Sequence, residues 1–301
     1  MIVEKALNIG PSKIDIAYQR LGELDAPPVF LMMGAGAQMI AWHDGFCAEL
    51  VNRGFQVIRF DNRDTGLTTH FNNAPIADFK AVMKGDFSTV FYTLSDMAAD
   101  TIGLIDFFGF EQVHLVGASM GGMVAQTVAV EYPSRVKSLT SIMSTTGNPS
   151  VGQPDYSVLS TLGEPNYDNR EEYIQWRIKS LKAIGSSFYP FDEEATIANI
   201  GLSWDRDHDS LAMMRQLVAV LKSGDRTSLL KQLHIPTLVL HGKVDKMINV
   251  SGGIATAEAI PNSKLVLFEH MGHGLPQPLW RAFADLISEL INQVEMANND
   301  Q

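Results

Sequence analysis

The sequence predicts an α/β protein, built on a doubly wound, mostly parallel sheet of about eight strands with a helical lid inserted between two of them. Two observations carry this prediction. Short runs rich in Val, Ile, Leu and Phe recur along the chain and alternate with helical patterns. Between about Ser144 and Leu233 that rhythm stops, and loops and helical patterns follow one another. Strands covered on both faces read as continuous apolar runs, so the first pattern is typical of a parallel sheet between two helical layers.

Six apolar runs are the predicted parallel strands, and in chain order they are residues 29–33, 57–60, 113–116, 136–143, 237–241 and 265–268. Upstream of them, residues 2–9 and 13–18 flank a Gly-Pro-Ser turn and predict an opening hairpin. Such a hairpin would place an antiparallel edge on the sheet.

The segment between the fourth and fifth of these strands predicts helices at about residues 171–183, 193–202 and 210–221. An insertion between two core strands is an excursion from the core rather than a separate terminal domain. The predicted organisation is therefore a core of residues 1–144 and 234–301 and a helical cap of residues 145–233. Lids over active sites commonly carry substrate contacts.

The most informative motif is Gly-Ala-Ser-Met-Gly at residues 117–121, directly after a predicted strand and before a helical pattern. This arrangement is typical of a nucleophile elbow, where a serine takes a strained backbone angle at a sharp strand-to-helix turn. Glycines two residues before and after the serine relieve the resulting clash. We therefore interpret Ser119 as a candidate nucleophile.

A serine hydroxyl is a weak nucleophile unless a base accepts its proton, so the elbow predicts an acid and a histidine further along the chain. Asp245 follows the predicted strand 237–241, and His273 follows the strand 265–268 between two glycines. Both positions lie beyond the carboxyl ends of parallel strands, where α/β sheets carry their sites. We predict His273 as the base and Asp245 as its acid. His270 remains an alternative base.

A glycine-rich loop follows the predicted strand 29–33, which should lie beside the elbow. One donor of an oxyanion hole comes from the backbone just after that strand in this architecture, and the second comes from the residue after the nucleophile. We predict the amides of Ala35 and Met120 as these donors. A turn that merely needs glycines is the alternative reading of the loop.

Three side chains of the predicted cap, those of Trp176, Trp204 and Met213, are candidates for contact with substrate. Large apolar side chains and flexible thioethers suit an apolar pocket, but they equally suit packing between helices. The sequence leaves both possibilities open.

Composition narrows the class of partner. The formal net charge of -11 argues against nucleic acid and anionic membrane surfaces, which call for clusters of Lys and Arg. The expected partners are a small molecule and water, and the expected state is a monomer or a homodimer. We expect no metal, because the two histidines at residues 270 and 273 have no third ligand after them and the single cysteine, Cys47, is unpaired.

The N-terminus lacks the basic end, apolar core and small-residue cleavage site of a signal peptide, and no apolar stretch is long enough to span a membrane. One cysteine cannot form an internal disulfide, which fits a reducing compartment. We therefore expect a cytoplasmic protein.

With elbow, acid and histidine in this order around a lid, the chain resembles the α/β-hydrolase superfamily over nearly its full length. Residues 33–35, residues 59–68 and the Gly272-His273 pair are similar to those of bacterial carboxylesterases of the aclacinomycin methylesterase type. The resemblance implies the α/β-hydrolase fold and hydrolysis of small to medium apolar esters, methyl esters among them, through an acyl-enzyme and without a cofactor. It also implies that Ser119, His273 and Asp245 form a catalytic triad, and that residues 61–68 are a structural loop near the site.

Two other functions stay open. Hydrolases that cleave carbon–carbon bonds of ring-cleavage products share the Ser-Met-Gly-Gly elbow and a Gly-x-Gly loop followed by a tryptophan, here Gly34, Gly36 and Trp42. Their loop usually begins with His-Gly and contains a proline, whereas this chain has Met33 and Ala37. The alternative from another class is a small-molecule receptor that keeps this fold and closes its lid over a ligand.

Overall fold

The computed structural model describes residues 3–299, and within that range eight strands form one sheet in the order β1-β2-β4-β3-β5-β6-β7-β8. The strands are β1 Glu4–Ile9, β2 Ile14–Leu21, β3 Pro28–Met32, β4 Gln56–Phe60, β5 Val113–Ala118, β6 Val136–Ile142, β7 Thr237–Gly242 and β8 Lys264–Phe268. Ile2, where the predicted hairpin begins, lies outside the described residues.

The strands β3 to β8 run parallel, whereas β2 is antiparallel to both β1 and β4. The predicted mostly parallel sheet with an antiparallel edge is therefore confirmed. The chain moves outward from β3 to β4 and then returns to place β5 on the other side of β3. A strand order that reverses in this way opens a crevice at the carboxyl ends of the two central strands, where ligands bind in open α/β sheets.

Helices cover the sheet and fill its connections. Outside the segment between β6 and β7 they are α1 Asp44–Val51, α2 Phe79–Val82, α3 Leu94–Phe107, α4 Met120–Glu131, α10 Ser251–Ala259 and α11 Trp280–Asn299. Between β6 and β7 they are α5 Tyr156–Leu159, α6 Arg170–Ile184, α7 Glu193–Arg206, α8 Ala212–Ser223 and α9 Thr227–Leu230.

Successive residues of the central strands enter two different cores, because side chains alternate across a strand. Phe30 packs with helices α3 and α4 on one face, and Leu31 packs with α1 and α11 on the other. Cys47 of α1 is fully buried in the second of these cores. The sheet is therefore a rigid support that is covered on both sides.

The helices between β6 and β7 do not share a single core. Ile174 and Ile178 of α6 and Ile200 of α7 form a small cluster of their own. In contrast, Ala219 of α8 and Leu230 of α9 belong to the main core against the sheet. The predicted division into a core and a cap at residues 145 and 233 stays a prediction. No helix within residues 3–299 combines the length and the apolar character needed to cross a lipid bilayer.

Candidate active site

The elbow lies where β5 passes into α4, and its geometry explains the glycines around Ser119. Ser119 has φ 56°, in a region that non-glycine residues seldom adopt. A Cβ on Gly117 would lie 2.2 Å from the carbonyl oxygen of Gly121, and one on Gly121 would lie 2.1 Å from that of Met32. Neither position can hold a side chain, because strand, turn and helix approach one another too closely.

Three side chains that are far apart in sequence form one hydrogen-bonded chain at this elbow. The Nε2 atom of His273 lies 3.1 Å from Oγ of Ser119, and its Nδ1 atom lies 2.8 Å from Oδ2 of Asp245. The backbone amide of His273 also donates to the carbonyl of Ile184 at the end of α6, at 2.8 Å. The structure thus brings together the three residues that the sequence analysis identified. The hydrogen bond to Ile184 also anchors the loop that carries His273 to the helices between β6 and β7.

Asp245 lies in the turn after β7, where backbone amides bind its carboxylate. Its Oδ1 atom accepts hydrogen bonds from the amides of Met247 and Ile248, both at 2.9 Å. Burial acts to raise the pKa of Asp245, but hydrogen bonds with His241 and His273 and with the Ile248 amide outweigh burial and lower the pKa to about 2. The closer partner of His241 Nε2 is the carbonyl of Ile248, at 2.8 Å, whereas Asp245 Oδ2 is 3.5 Å away.

An ionised Asp245 decides which nitrogen of the histidine carries the proton. A carboxylate only accepts hydrogen bonds, so Nδ1 of His273 is the donor in the 2.8 Å contact. The neutral imidazole then presents an unprotonated Nε2 to the hydroxyl of Ser119. This arrangement can accept a proton from the serine.

The loop after β3 lies against the nucleophile. The register pairs Met32 at the end of β3 with Gly117 of β5. A Cβ on Gly34 would lie 3.3 Å from Oγ of Ser119, so the backbone passes directly beside the hydroxyl. Ala35 follows in that loop, and Met120 begins α4. Neither of these two backbone amides has a hydrogen-bond acceptor among the described residues, so both can donate to a ligand.

Gln216 of α8 holds this loop from the other side. Its Oε1 atom accepts from the amide of Gly36 at 2.8 Å, and its Nε2 atom donates to the carbonyl of Arg63 and to Oγ1 of Thr65. The side chain is fully buried. Sequence reasoning did not identify Gln216, although a polar residue at a buried position of an amphipathic helix was the available signal.

The segment at residues 61–68 fixes the same loop at its two ends. Asn62 donates to the carbonyl of Met33 at 3.0 Å, and Asp61 accepts from the amide of Met39 at 2.7 Å. Arg206 at the end of α7 forms an ion pair with the fully buried carboxylate of Asp61. The glycine loop is therefore held by groups from both the core and the helical segment.

The alternative base, His270, is not part of the hydrogen-bonded chain that joins Asp245 and Ser119 in the described structure. Its ring stacks on Phe188 with the centroids 4.1 Å apart. Of His270 and His273, it is His273 whose imidazole donates to Asp245. The geometry therefore favours His273 over His270 as the partner of Ser119.

The three candidate substrate-binding residues lie in different surroundings. Trp176 donates its indole N–H to the carbonyl of Gly163, and Trp204 is buried, stacked on His208 with the ring centroids 4.4 Å apart. Met213 lies against the glycine loop, where a Cβ on Gly36 would be 2.9 Å from its Cγ. Of the three, the structure brings only Met213 beside the loop next to Ser119, and their roles toward substrate stay predictions.

A cavity of about 480 Å³ opens beside His273. Its walls are the 36–43 loop, one face each of α6 and α7, and the segments at 185–192 and 272–280. Pockets of this size hold small organic molecules. A small molecule in this cavity would therefore lie next to the candidate base.

One acidic cluster outside this cavity has the composition of a metal site. Ligand atoms of Asp64, His70 and Asp209 lie within 4.8 Å of one another. The guanidinium of Arg215 donates to Asp64 at 2.8 Å and to Asp209 at 2.9 Å, so both carboxylates already have a cationic partner. The cluster acts as an ion-pair network that ties α8 to the loop after β4.

Comparison with known proteins points to one fold. The profile of the alpha/beta hydrolase fold family matches residues 27–160. Rhodomycin D methylesterase DnrP of Streptomyces peucetius is 24% identical over 288 residues, which cover 88% of this chain and 90% of that protein. A 2-hydroxy-6-oxononadienedioate/2-hydroxy-6-oxononatrienedioate hydrolase of Pseudomonas putida is also 24% identical, with 88% and 87% covered.

A solved structure gives the same result. A thermophilic esterase from Thermogutta terrifontis superposes with a TM-score of 0.71 at 23% identity, over 98% of this chain and 99% of that one. At this level of identity the likeness establishes the architecture.

Proposed function

We propose that this chain, a hydrolase with the α/β-hydrolase fold, cleaves carboxylic esters with Ser119 as nucleophile, His273 as general base and Asp245 as the acid that orients the histidine. The observation that carries the proposal is the unbroken chain of hydrogen bonds from Asp245 through His273 to Ser119, beside two backbone amides that have no acceptor among residues 3–299. Nucleophile, base and oxyanion donors in this arrangement are the parts that acyl transfer needs.

The proposed reaction has two halves. His273 takes the proton of Ser119 as the oxygen attacks the ester carbonyl, and the amides of Ala35 and Met120 stabilise the oxyanion of the tetrahedral intermediate. The intermediate collapses to an acyl-enzyme while His273 gives its proton to the departing alcohol. His273 then activates a water molecule that releases the acid, and Asp245 stabilises the imidazolium in both halves. These steps draw on side chains, backbone amides and water.

We further propose that residues 145–233 form a cap over the core of residues 1–144 and 234–301, and that this cap shapes the substrate cavity. The contacts of α6 and α7 with the cavity support this division. A cavity of about 480 Å³ suits small to medium apolar esters, and the methylesterase among the relatives favours methyl esters within that class. The reaction partners are then a small-molecule ester and water, with the enzyme acting as a cytoplasmic monomer or homodimer.

The first test is hydrolysis of p-nitrophenyl esters from acetate to palmitate. We expect turnover of the short and medium esters and a decline for longer chains, since the acyl group must fit a cavity of about 480 Å³. Absence of turnover across the series and with methyl esters would contradict ester hydrolysis.

A second candidate is a carbon–carbon bond hydrolase, which the Pseudomonas putida relative favours. It would use the same serine and histidine on a vinylogous diketone. Cleavage of a 2-hydroxy-6-oxo-dienoate at a higher kcat/KM than any ester would select this candidate. Tight binding of a small molecule by a protein inert in both assays would instead favour a receptor.

We expect Gln216→Leu to lower kcat for ester hydrolysis by about 10- to 100-fold and to leave KM within a few-fold. The substitution removes the acceptor of the Gly36 amide, and the loop that carries Ala35 loses its fixed position. A displaced oxyanion donor costs on the order of 10²-fold in turnover, because the hydrogen bond strengthens in the transition state.

Gln216→Glu keeps an oxygen that can accept from Gly36 but loses the donor to the carbonyl of Arg63, so it should restore only part of kcat. Gln232→Leu, on an exposed side chain that donates to the carbonyl of Ser228, is the matched control and should leave kcat unchanged. A loss of thermal stability in Gln216→Leu with an unchanged kcat would mean that Gln216 is structural alone.

A further inference from the structure

Arg177 of α6 lines the same cavity as His273, and its guanidinium makes no hydrogen bond or ion pair with the residues that the structure describes. The side chain is half-buried. Guanidinium groups taken partly out of water usually have an anionic partner, because five N–H donors must be satisfied. The N–H donors of Arg177 therefore face a cavity and have no acceptor among residues 3–299.

Neighbouring arginines show that carboxylates are available to such groups elsewhere. Arg170 pairs with Asp205, and Arg206 pairs with Asp61. The chain as a whole carries a formal net charge of -11, so acidic partners are abundant. An arginine that stays unpaired in this setting is placed where a ligand can reach it.

The other polar groups of the cavity that the structure describes are not paired with Arg177. The carboxylate of Asp192 accepts from the amide of Ala195 at 3.0 Å as the N-cap of α7. Asn199 donates to the carbonyl of Ile40 at 3.3 Å. His43 accepts from the amide of Gly45 through Nδ1. Each of these groups has its own contact, whereas the guanidinium has no hydrogen bond or ion pair within the part of the chain that the structure describes.

The helix sets how far the backbone of Arg177 lies from the residue that anchors His273. Ile184, whose carbonyl accepts from the amide of His273, is seven residues after Arg177 on α6. At ~1.5 Å per residue this is roughly 10 Å along the helix. Tyr173, Arg177 and Leu181 follow one another at four-residue spacing and face the cavity together. We therefore expect a ligand that spans from His273 to Arg177 along this wall to be several bonds long.

We propose that Arg177 binds a carboxylate of the substrate, so that the site prefers esters whose acyl chain ends in an acid, that is, monoesters of medium-length dicarboxylic acids. The planar guanidinium matches the two oxygens of a carboxylate, and the partly enclosed cavity strengthens the pairing relative to open water. This inference rests on the proposed ester hydrolysis and narrows its substrate class to esters whose apolar acyl chain ends in a carboxylate.

The test compares two esters of equal chain length, monomethyl suberate and methyl octanoate. Wild type is expected to show a kcat/KM at least tenfold higher for monomethyl suberate. Arg177→Gln should lower that value by about 10- to 100-fold, chiefly through KM, because a hydrogen bond to a charged group is lost. The same substitution should leave kcat/KM for methyl octanoate within twofold of wild type. Arg177→Lys should restore part of the loss on monomethyl suberate. Arg170→Gln, on the same helix, is the control. Equal losses on both esters, or no loss on either, would overturn the role of Arg177.

A binding measurement separates this proposal from the proposed function. Calorimetry with the Ser119→Ala variant measures affinity for monomethyl suberate without turnover. A fall in affinity of tenfold or more on adding Arg177→Gln would support the carboxylate site, whether or not wild type hydrolyses either ester. Failure of wild type to hydrolyse either ester would count against ester hydrolysis but not against the carboxylate site. Affinity that does not change on adding Arg177→Gln would refute the carboxylate site, whatever the rate of hydrolysis.

Discussion

Ser119→Ala is expected to lower kcat/KM for ester hydrolysis by about 10³-fold or more, with the fold intact. The oxygen that would attack the carbonyl is the atom 3.1 Å from Nε2 of His273. Alanine keeps the backbone turn but offers no nucleophile, so only the oxyanion donors and binding remain. These groups alone leave a small residual rate above that of water.

The control for this prediction is Ser144→Ala. The hydroxyl of Ser144 donates to the carbonyl of Ser119 at 2.8 Å, so its removal disturbs the same turn without touching the nucleophile. We expect a loss of tenfold or less, measured with the same p-nitrophenyl ester. A Ser119→Ala protein that kept a tenth of the wild-type rate would exclude Ser119 as the nucleophile.

The local geometry of the elbow could be predicted because the turn excludes side chains at positions close to Ser119 in the sequence, and glycines occupy them. Gly117 is required by a backbone contact within the motif itself, and Gly121 is required because its backbone lies against the carbonyl of Met32 at the end of β3. The positions of Asp245 and His273 were predictable for a different reason, since parallel strands bring their carboxyl ends to one edge whatever the details of packing.

The contributions of the helical segment could not be predicted in the same way. Gln216 meets Gly36 across 180 residues of sequence, and only the docking of α8 on the sheet makes the contact. The position of Arg177 in the cavity wall likewise depends on how α6 and α7 pack together. Trp204 shows the same limit, because its stacking on His208 follows from the course of the chain after α7. Periodicity identifies helices, but it does not fix which face meets which neighbour.

Asp245→Asn is expected to lower kcat by about 10³- to 10⁴-fold, because an amide reverses the hydrogen bond to the histidine. The Asn side chain can still accept from the amides of Met247 and Ile248, so the turn should persist. Its NH₂ group would donate toward Nδ1 of His273 and move the imidazole proton to Nε2. A protonated Nε2 cannot accept the proton of Ser119.

The matched control is Asp155→Asn. The carboxylate of Asp155 accepts from the amides two and three residues later, Ser157 and Val158, as Asp245 does in its own turn. Asp155 is exposed and contacts no histidine, so its substitution should leave kcat within twofold. Equal activity of Asp245→Asn and wild type would remove Asp245 from the proposed mechanism.

Asp245→Asn is also expected to change how the free energy of unfolding depends on pH. The pKa of Asp245 falls from the usual 3.8 to about 2 on folding, so the folded state favours the carboxylate. This contribution, on the order of 2 kcal/mol, is present above about pH 4 and is lost as the pH falls toward 2. Urea unfolding at pH 7, 5, 4 and 3 should therefore show a gap between wild type and Asp245→Asn that narrows below pH 4. A gap that stayed constant from pH 7 to pH 3 would show that the lost stability comes from packing rather than from the ionised carboxylate.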